Sequence, residues 1–289
     1  PNSSTDDNKK MLFGHPGGGT SKTTIVVGES INEFTSSNVT YDADGSKSVS
    51  KASYDGVDVT QELSIIENSA TGRDDVVKIK YIVKNDTEYA KQVGIRIMMD
   101  TMLGGNDAAP FRVNGSDVTT ETVYSGSNIP QIWQAFDSAT NPGVVAQGTF
   151  YKSGDRKPDK VQFTNWGNVT STLWDYVTQP GRSNGDSAVS ITWNKDTFTS
   201  GETREFVTYY GLSELEQNLI PPLALSVYAD NKVSISNFNY DDINANVYLD
   251  NIGDGDATDV SIKITADNLE PKYGTSLTPV SYTHLTLPT

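Results

Sequence analysis

The chain is predicted to be all-β: a large antiparallel β-sandwich followed by a small one. Three observations carry that expectation. Residues Val76 to Asp107 alternate apolar and polar side chains with a period of two. Extended runs of helical period are nearly absent from the 289 residues. A hydrophobic share of 35% together with 24 glycines suits many strands joined by tight turns.

The alternating stretch reads as the centre of the large unit. Val77, Ile79, Tyr81 and Val83 alternate with Lys78, Lys80 and Lys84, and Val93, Ile95, Ile97, Met99 and Leu103 with Gln92, Gly94, Arg96 and Asp100. Asn85-Asp86-Thr87-Glu88 supplies turn formers between the two runs. The expectation is a half-buried antiparallel pair whose second strand leaves the sheet at Gly104-Gly105-Asn106-Asp107.

From the start of the chain, residues 1–10 are polar and charged and read as a disordered start. Gly14 to Thr23 has the look of a phosphate loop, but Ser21 stands where the glycine before the lysine belongs. Thr23-Thr24-Ile25-Val26-Val27 then continues as a β-branched strand rather than a helix. Tyr41 to Ser46 spaces its acids like a calcium loop yet lacks the closing glutamate, so it reads as a hairpin turn between Val39 and Val49. Val57 to Ile66 is a clear strand, and Asn68 to Asp75 a loop.

Asn114-Gly115 is a strong hairpin signal, with a strand expected over Thr119 to Val123 and a short helical turn over Ser127 to Phe136. Gly143 to Tyr151 and Asp159 to Trp166 read as strands, and so do Ser187 to Trp193 and Thr203 to Tyr210. Trp166 to Asp186 lacks periodicity, and long loops of this kind often carry function. Ser213 to Leu219 is the one expected helix: Ser213 and Glu216 form a capping box, and Pro221-Pro222 ends it. The large sandwich therefore spans 11–215, a linker 216–222, and a second domain 223–280. The second domain's short strands, from Ala224 to Thr265, suit a small immunoglobulin-like sandwich.

Two stretches carry resemblances. Asn246 to Gly253, followed by Ala257 to Ile262, resembles the CARDB type of bacterial immunoglobulin-like domain, with Asn251 and Gly253 making the turn and Ala257 packing inward. That family is associated with adhesion and surface proteins, its pattern is structural, and it implies no catalytic residue. Val93 to Phe111 and Tyr209-Tyr210-Gly211-Leu212 resemble supersandwich-like regions that precede such domains in bacterial surface proteins. Residues 281–289 (Ser-Tyr-Thr-His-Leu-Thr-Leu-Pro-Thr) resemble translated adapter read-through, which would make this tail artefactual, the second domain incomplete and His15 the only histidine.

Composition narrows the function classes. With 37 acids against 22 bases the net charge is −15, and no basic cluster offsets it, which argues against nucleic-acid and anionic-membrane partners. Cysteine is absent, so disulfides and thiolate chemistry are excluded. No apolar run approaches a membrane span, so no membrane insertion is expected. The chain begins at Pro1 rather than Met and reads as a fragment or a processed form.

Carboxylates are the chemistry that remains. Asp100, Asp107, Asp137, Asp175, Asp186 and Glu214 lie near aromatic or glycine-rich stretches, and glycoside hydrolysis uses a pair of such groups. No catalytic residue is assigned; Asp100 and Asp137 are the candidates, and for Asp100 the preferred reading is an aspartate satisfied by a neighbouring strand or by loop amides. Arg96 lies about 13 Å from Asp100 along the strand, too far for a direct ion pair. Asn106 and Asp107 are the candidate calcium ligands, weighed against a turn that bonds its own backbone. Trp166 and Trp174 are the candidate sugar-stacking residues, whereas Trp133 and Trp193 suit a core.

The expectation is a non-catalytic structural or adhesion module of a secreted or cell-surface bacterial protein. Its partner would be a polysaccharide or another surface protein. The alternatives are a carbohydrate-binding or carbohydrate-processing sandwich, and a calcium-stabilised scaffold. The leaning is against an enzyme, with no cofactor beyond Ca²⁺.

Overall fold

The structure, a computed structural model, describes residues 9–14, 17–36, 38–68 and 73–213. Beyond them it describes the strands Leu223–Ala229, Ile235–Ser236, Asn239–Tyr240, Ala245–Asn251, Ala257–Lys263 and Ser281–Leu287. His15, residues 1–8 of the expected disordered start, and the linker 216–222 lie outside the described residues, as does the expected Ser213–Leu219 helix from residue 214 on.

The first half of the large unit contributes β1 (Lys22–Val27), β2 (Ser30–Glu33), β3 (Val39–Tyr41), β4 (Lys47–Tyr54), β5 (Val57–Asn68), β6 (Arg73–Asn85) and β7 (Lys91–Asp100). After them come β8 (Phe111–Val113), β9 (Ser116–Val118), β10 (Thr122–Ser125), β11 (Ile132–Phe136), β12 (Val145–Thr149) and β13 (Lys160–Asn165). A single helical turn, α1 (Trp166–Val169), precedes β14 (Ser187–Phe198) and β15 (Thr203–Leu212). These strands form two antiparallel sheets. One has the order β10-β13-β14-β7-β1-β2, the other β3-β4-β5-β6-β15-β12-β11-β8-β9. The chain is thus an all-β sandwich, as its alternation predicts.

The expected pairing of the two alternating runs is overturned. β6 and β7 are not neighbours: β6 lies between β5 and β15, and β7 lies between β14 and β1 in the opposite sheet. Asn85 makes the crossing. Its buried side-chain amide donates to the carbonyls of Tyr89 (2.7 Å), Phe198 (3.0 Å) and Thr199 (3.1 Å), tying the crossing to the β14–β15 connection. The apolar faces of the two strands, Tyr81 and Val83 on one and Val93 to Met99 on the other, join one core.

Two turns follow directly from local chemistry. Asn114 and Gly115 take φ of 50° and 74° between β8 and β9, the left-handed pair that a two-residue hairpin requires. In Tyr41 to Ser46, Asp42 accepts from the Lys47 amide at 2.8 Å and Asp44 from the Ser46 amide at 3.0 Å, so these acids close a hairpin turn. Two local expectations fail. Ile132–Phe136 is the strand β11, buried along its whole length, and only Gly126–Asn128 forms a helical turn. Thr119 to Glu121 falls between β9 and β10 rather than inside one strand.

The core is aromatic at one end. Trp133 stacks on Tyr210 at 5.3 Å between ring centroids and meets Phe111 and Phe163 edge-on at 5.7 Å each. Trp193 meets Phe206 at 5.5 Å. Burying rings of this size is worth roughly 2–3 kcal/mol each. Trp133 and Trp193 are therefore core, as their sequence context suggested.

Past residue 222, β16 (Leu223–Ala229) pairs with β19 (Ala245–Asn251), and β17 (Ile235–Ser236) with β18 (Asn239–Tyr240). Within the stretch set aside as a tail, β21 (Ser281–Leu287) pairs with β20 (Ala257–Lys263).

Candidate functional site

Beyond Gln92 the polar face of β7 does not meet water. Gly94, Arg96, Met98 and Asp100 are all buried, covered by the irregular Trp166–Asp186 loop lying on the outer face of the six-stranded sheet. Arg96 is the pin. Its guanidinium donates to Ser190 Oγ (3.0 Å) and to the carbonyls of Thr172 (2.6 Å), Trp174 (3.2 Å) and Val169 (2.9 Å). Burial lowers its pKa to about 10, opposed by the charge of Asp175. Glu121 pins the loop from the other side, accepting from Asn168 Nδ2 (2.9 Å), the Tyr176 hydroxyl (2.8 Å) and the Gln179 amide (2.7 Å).

Three aspartates converge where this loop rejoins the sheet. Asp100 ends β7, Asp107 follows in the exit loop, and Asp186 immediately precedes β14. The Ser187 amide donates to the Asp107 carbonyl at 2.8 Å, and the Trp166 amide to the Asp186 carbonyl at 2.7 Å. Each residue offers a carboxylate oxygen, and the three oxygens lie within 4.8 Å of one another. Asp100 is 2% exposed, and its Oδ1 has no hydrogen-bond partner among the described residues; nor has Oδ1 of Asp107. Burial lifts the Asp100 carboxyl to about 6; the Thr20 hydroxyl opposes that rise, and the charges of Asp186 and Asp107 add to it. Burial raises Asp186 as well, with the charge of Asp107 behind it and the Gly167 amide against it.

A second feature lies between the sheets. Beyond the aromatic core they part to leave a cleft of about 630 Å³ beside the N-terminal segment. Phe34, Leu63, Ile79, Met99 and Tyr210 make its apolar wall. Thr23, Ser50, Gln61 and Tyr81 supply its polar groups, and Lys22 and Glu33 stand at 2.9 Å from each other as an ion pair. The Tyr81 hydroxyl is 2.6 Å from Thr23 Oγ1 and accepts from Gln61 Nε2. Burial pushes that phenol up to about 12, so it stays neutral.

The remaining candidates are engaged in structure. Asp137 Oδ1 accepts from the amides of Gly143 (2.8 Å) and Val144 (3.0 Å), closing its own turn. Asn106 donates to the Asp137 carbonyl (2.9 Å) and accepts from the Ala108 amide (2.9 Å). Trp166 donates its indole N–H to the Thr20 carbonyl at 3.2 Å, and Trp174 lies across Gly94. Sequence reading missed the cleft altogether, because its walls come from strands that no spacing rule brings together. It also missed Glu121, whose one signal is a lone acid beside a strand.

No family model and no curated protein matches the chain. Solved structures do. A galactose mutarotase related enzyme from Lactobacillus acidophilus is similar at 7% identity over 63% of this chain and 72% of that one, with a TM-score of 0.35. A polysaccharide lyase is similar at 10% identity over 93% of this chain, with a TM-score of 0.38, and the chain spans 39% of that protein's length. Neither likeness transfers a residue or an activity to this chain. Among the described residues, no helix is long and apolar enough to cross a membrane.

Proposed function

We propose that the large sandwich is a non-catalytic carbohydrate-binding module that takes a saccharide into the cleft between its sheets. One observation carries this reading: a cavity of about 630 Å³ is lined both by apolar side chains and by the Thr23–Tyr81–Gln61 hydrogen-bonded group. A sugar ring has apolar C–H faces and hydroxyl edges, and a cleft of mixed lining with a few convergent polar groups suits it. Catalysis is disfavoured by the same lining. Glycoside hydrolysis needs two carboxyl groups across the bond, whereas among the described lining residues Glu33 is the one carboxylate and is paired with Lys22. Asp100 fits that role no better, because it is not among the residues that line the cleft and lies instead with Asp107 and Asp186.

In this reading the chain belongs to a secreted or surface protein of a bacterium and its partner is a polysaccharide; the net charge of −15 suits an uncharged glycan better than an acidic one. The test is a glycan array followed by calorimetric titration of the strongest binder. Gln61→Ala and Tyr81→Phe are expected to weaken binding about tenfold each, the loss of one hydrogen bond, while leaving the melting temperature nearly unchanged in Gln61→Ala. No binding to any glycan, or turnover of the bound one, would overturn the proposal.

A further inference from the structure

We propose that Asp100, Asp107 and Asp186 form a calcium site that locks the exit of β7 to the entry of β14. The geometry fits the ion. Oxygens that share one calcium at about 2.4 Å lie no more than about 4.8 Å apart, and the three carboxylate oxygens lie within 4.8 Å of each other. The donors are hard anionic oxygens from three separate points of the chain, the ligand set that calcium takes in preference to softer metals.

The independent observation is Asp100 itself. Its side chain is buried and aimed into the cluster, and its Oδ1 has no hydrogen-bond partner among the described residues. Oδ1 of Asp107 is buried in the same state. A buried carboxylate without a partner is costly, and folded proteins resolve that cost by pairing the charge or by coordinating a metal. Among the described residues, the groups acting on the Asp100 carboxyl are the Thr20 hydroxyl and the other two aspartates, with no lysine or arginine. A divalent cation supplies the missing charge. Neutral oxygens such as water complete a coordination number of six to eight.

The site is separate from the inter-sheet cleft, so its test stands apart from glycan binding. The full chain is stripped with EDTA, dialysed, and titrated with calcium chloride alone. The expected result is one calcium per chain by calorimetry and a melting temperature raised by roughly 5–10 °C at saturating calcium. Asp107→Asn and Asp186→Asn should each abolish that rise, and Asp117→Asn, in a surface ion pair with Arg112, should keep it. Asp107→Asn and Asp186→Asn decide the matter even where Asp100→Asn does not fold. An unchanged melting temperature with no binding heat in the parent chain, or a rise that survives in both variants, would overturn the inference.

Discussion

Trp174 lies against Gly94, so close that a β-carbon on residue 94 would stand 2.6 Å from Trp174 Cη2. The glycine is there for the approach of the ring. Gly94→Ala should push the indole outward and lift the covering loop from β7, at about 1–3 kcal/mol, the usual cost of overpacking. Urea unfolding and a red shift of tryptophan emission measure the two effects.

Arg96 is a buried cation whose hydrogen bonds go to one hydroxyl and three loop carbonyls rather than to a carboxylate. Arg96→Met keeps much of the volume but leaves those carbonyls without their donor, which should cost about 3 kcal/mol. Arg96→Lys has a single ammonium that cannot span acceptors at three points, so it should recover less than half. Limited proteolysis should cut within the Trp166–Asp186 loop of both variants well before the parent.

Glu121 gives a pH dependence with a definite sign. Burial alone would raise its carboxyl, but the Gln179 amide, the Tyr176 hydroxyl and Asn168 outweigh it and hold the group below the usual 4.5. A lowered pKa means stability that is fully present above 4.5 and is lost as pH falls through the lowered value. Glu121→Gln should flatten the acid limb of a stability–pH curve and lower the plateau above it. An acid limb identical to the parent's would count against this assignment.

Gly148 on β12 lies beneath the Trp133 indole, and any side chain there overlaps the ring. Gly148→Ala should destabilise the fold by about 2–4 kcal/mol, since the stacking of Trp133 on Tyr210 leaves the indole nowhere to go. Combining it with Trp133→Phe should cost less than the sum of the two single changes, a coupling that a double-mutant cycle reads directly.

How much of this was legible follows from what period and spacing encode. The alternation through Tyr81 and Ile97 identifies strands and the faces they bury, and Asn114-Gly115 identifies its hairpin, because both signals are local. Alternation does not identify a strand's neighbour. An inward-facing residue on β6 reads the same whether β7 lies beside it or across the core, so the pairing was misread. Asp100, Asp107 and Asp186 were each visible as acids near glycine or aromatic residues. Their meeting depends on β7 lying against β14, with Asp100 in register with Ala188, and no spacing along the chain announces that.

The crossing at Asn85 also sets an order of assembly. β6 can pair with β5 as soon as both are made, but its other edge waits for Thr203 to Leu212, more than half the sandwich later. During synthesis that edge is an open template of unpaired amides and carbonyls, the kind of surface on which nascent chains stick to one another. Lys78, Lys80 and Lys84 line the outer face of the same strand. Glu62 on β5 can hold Lys80 as soon as β5 and β6 pair, and Glu205 completes that ion-paired group only when β15 docks, so the last strand closes the charge of the sheet as well as its edge.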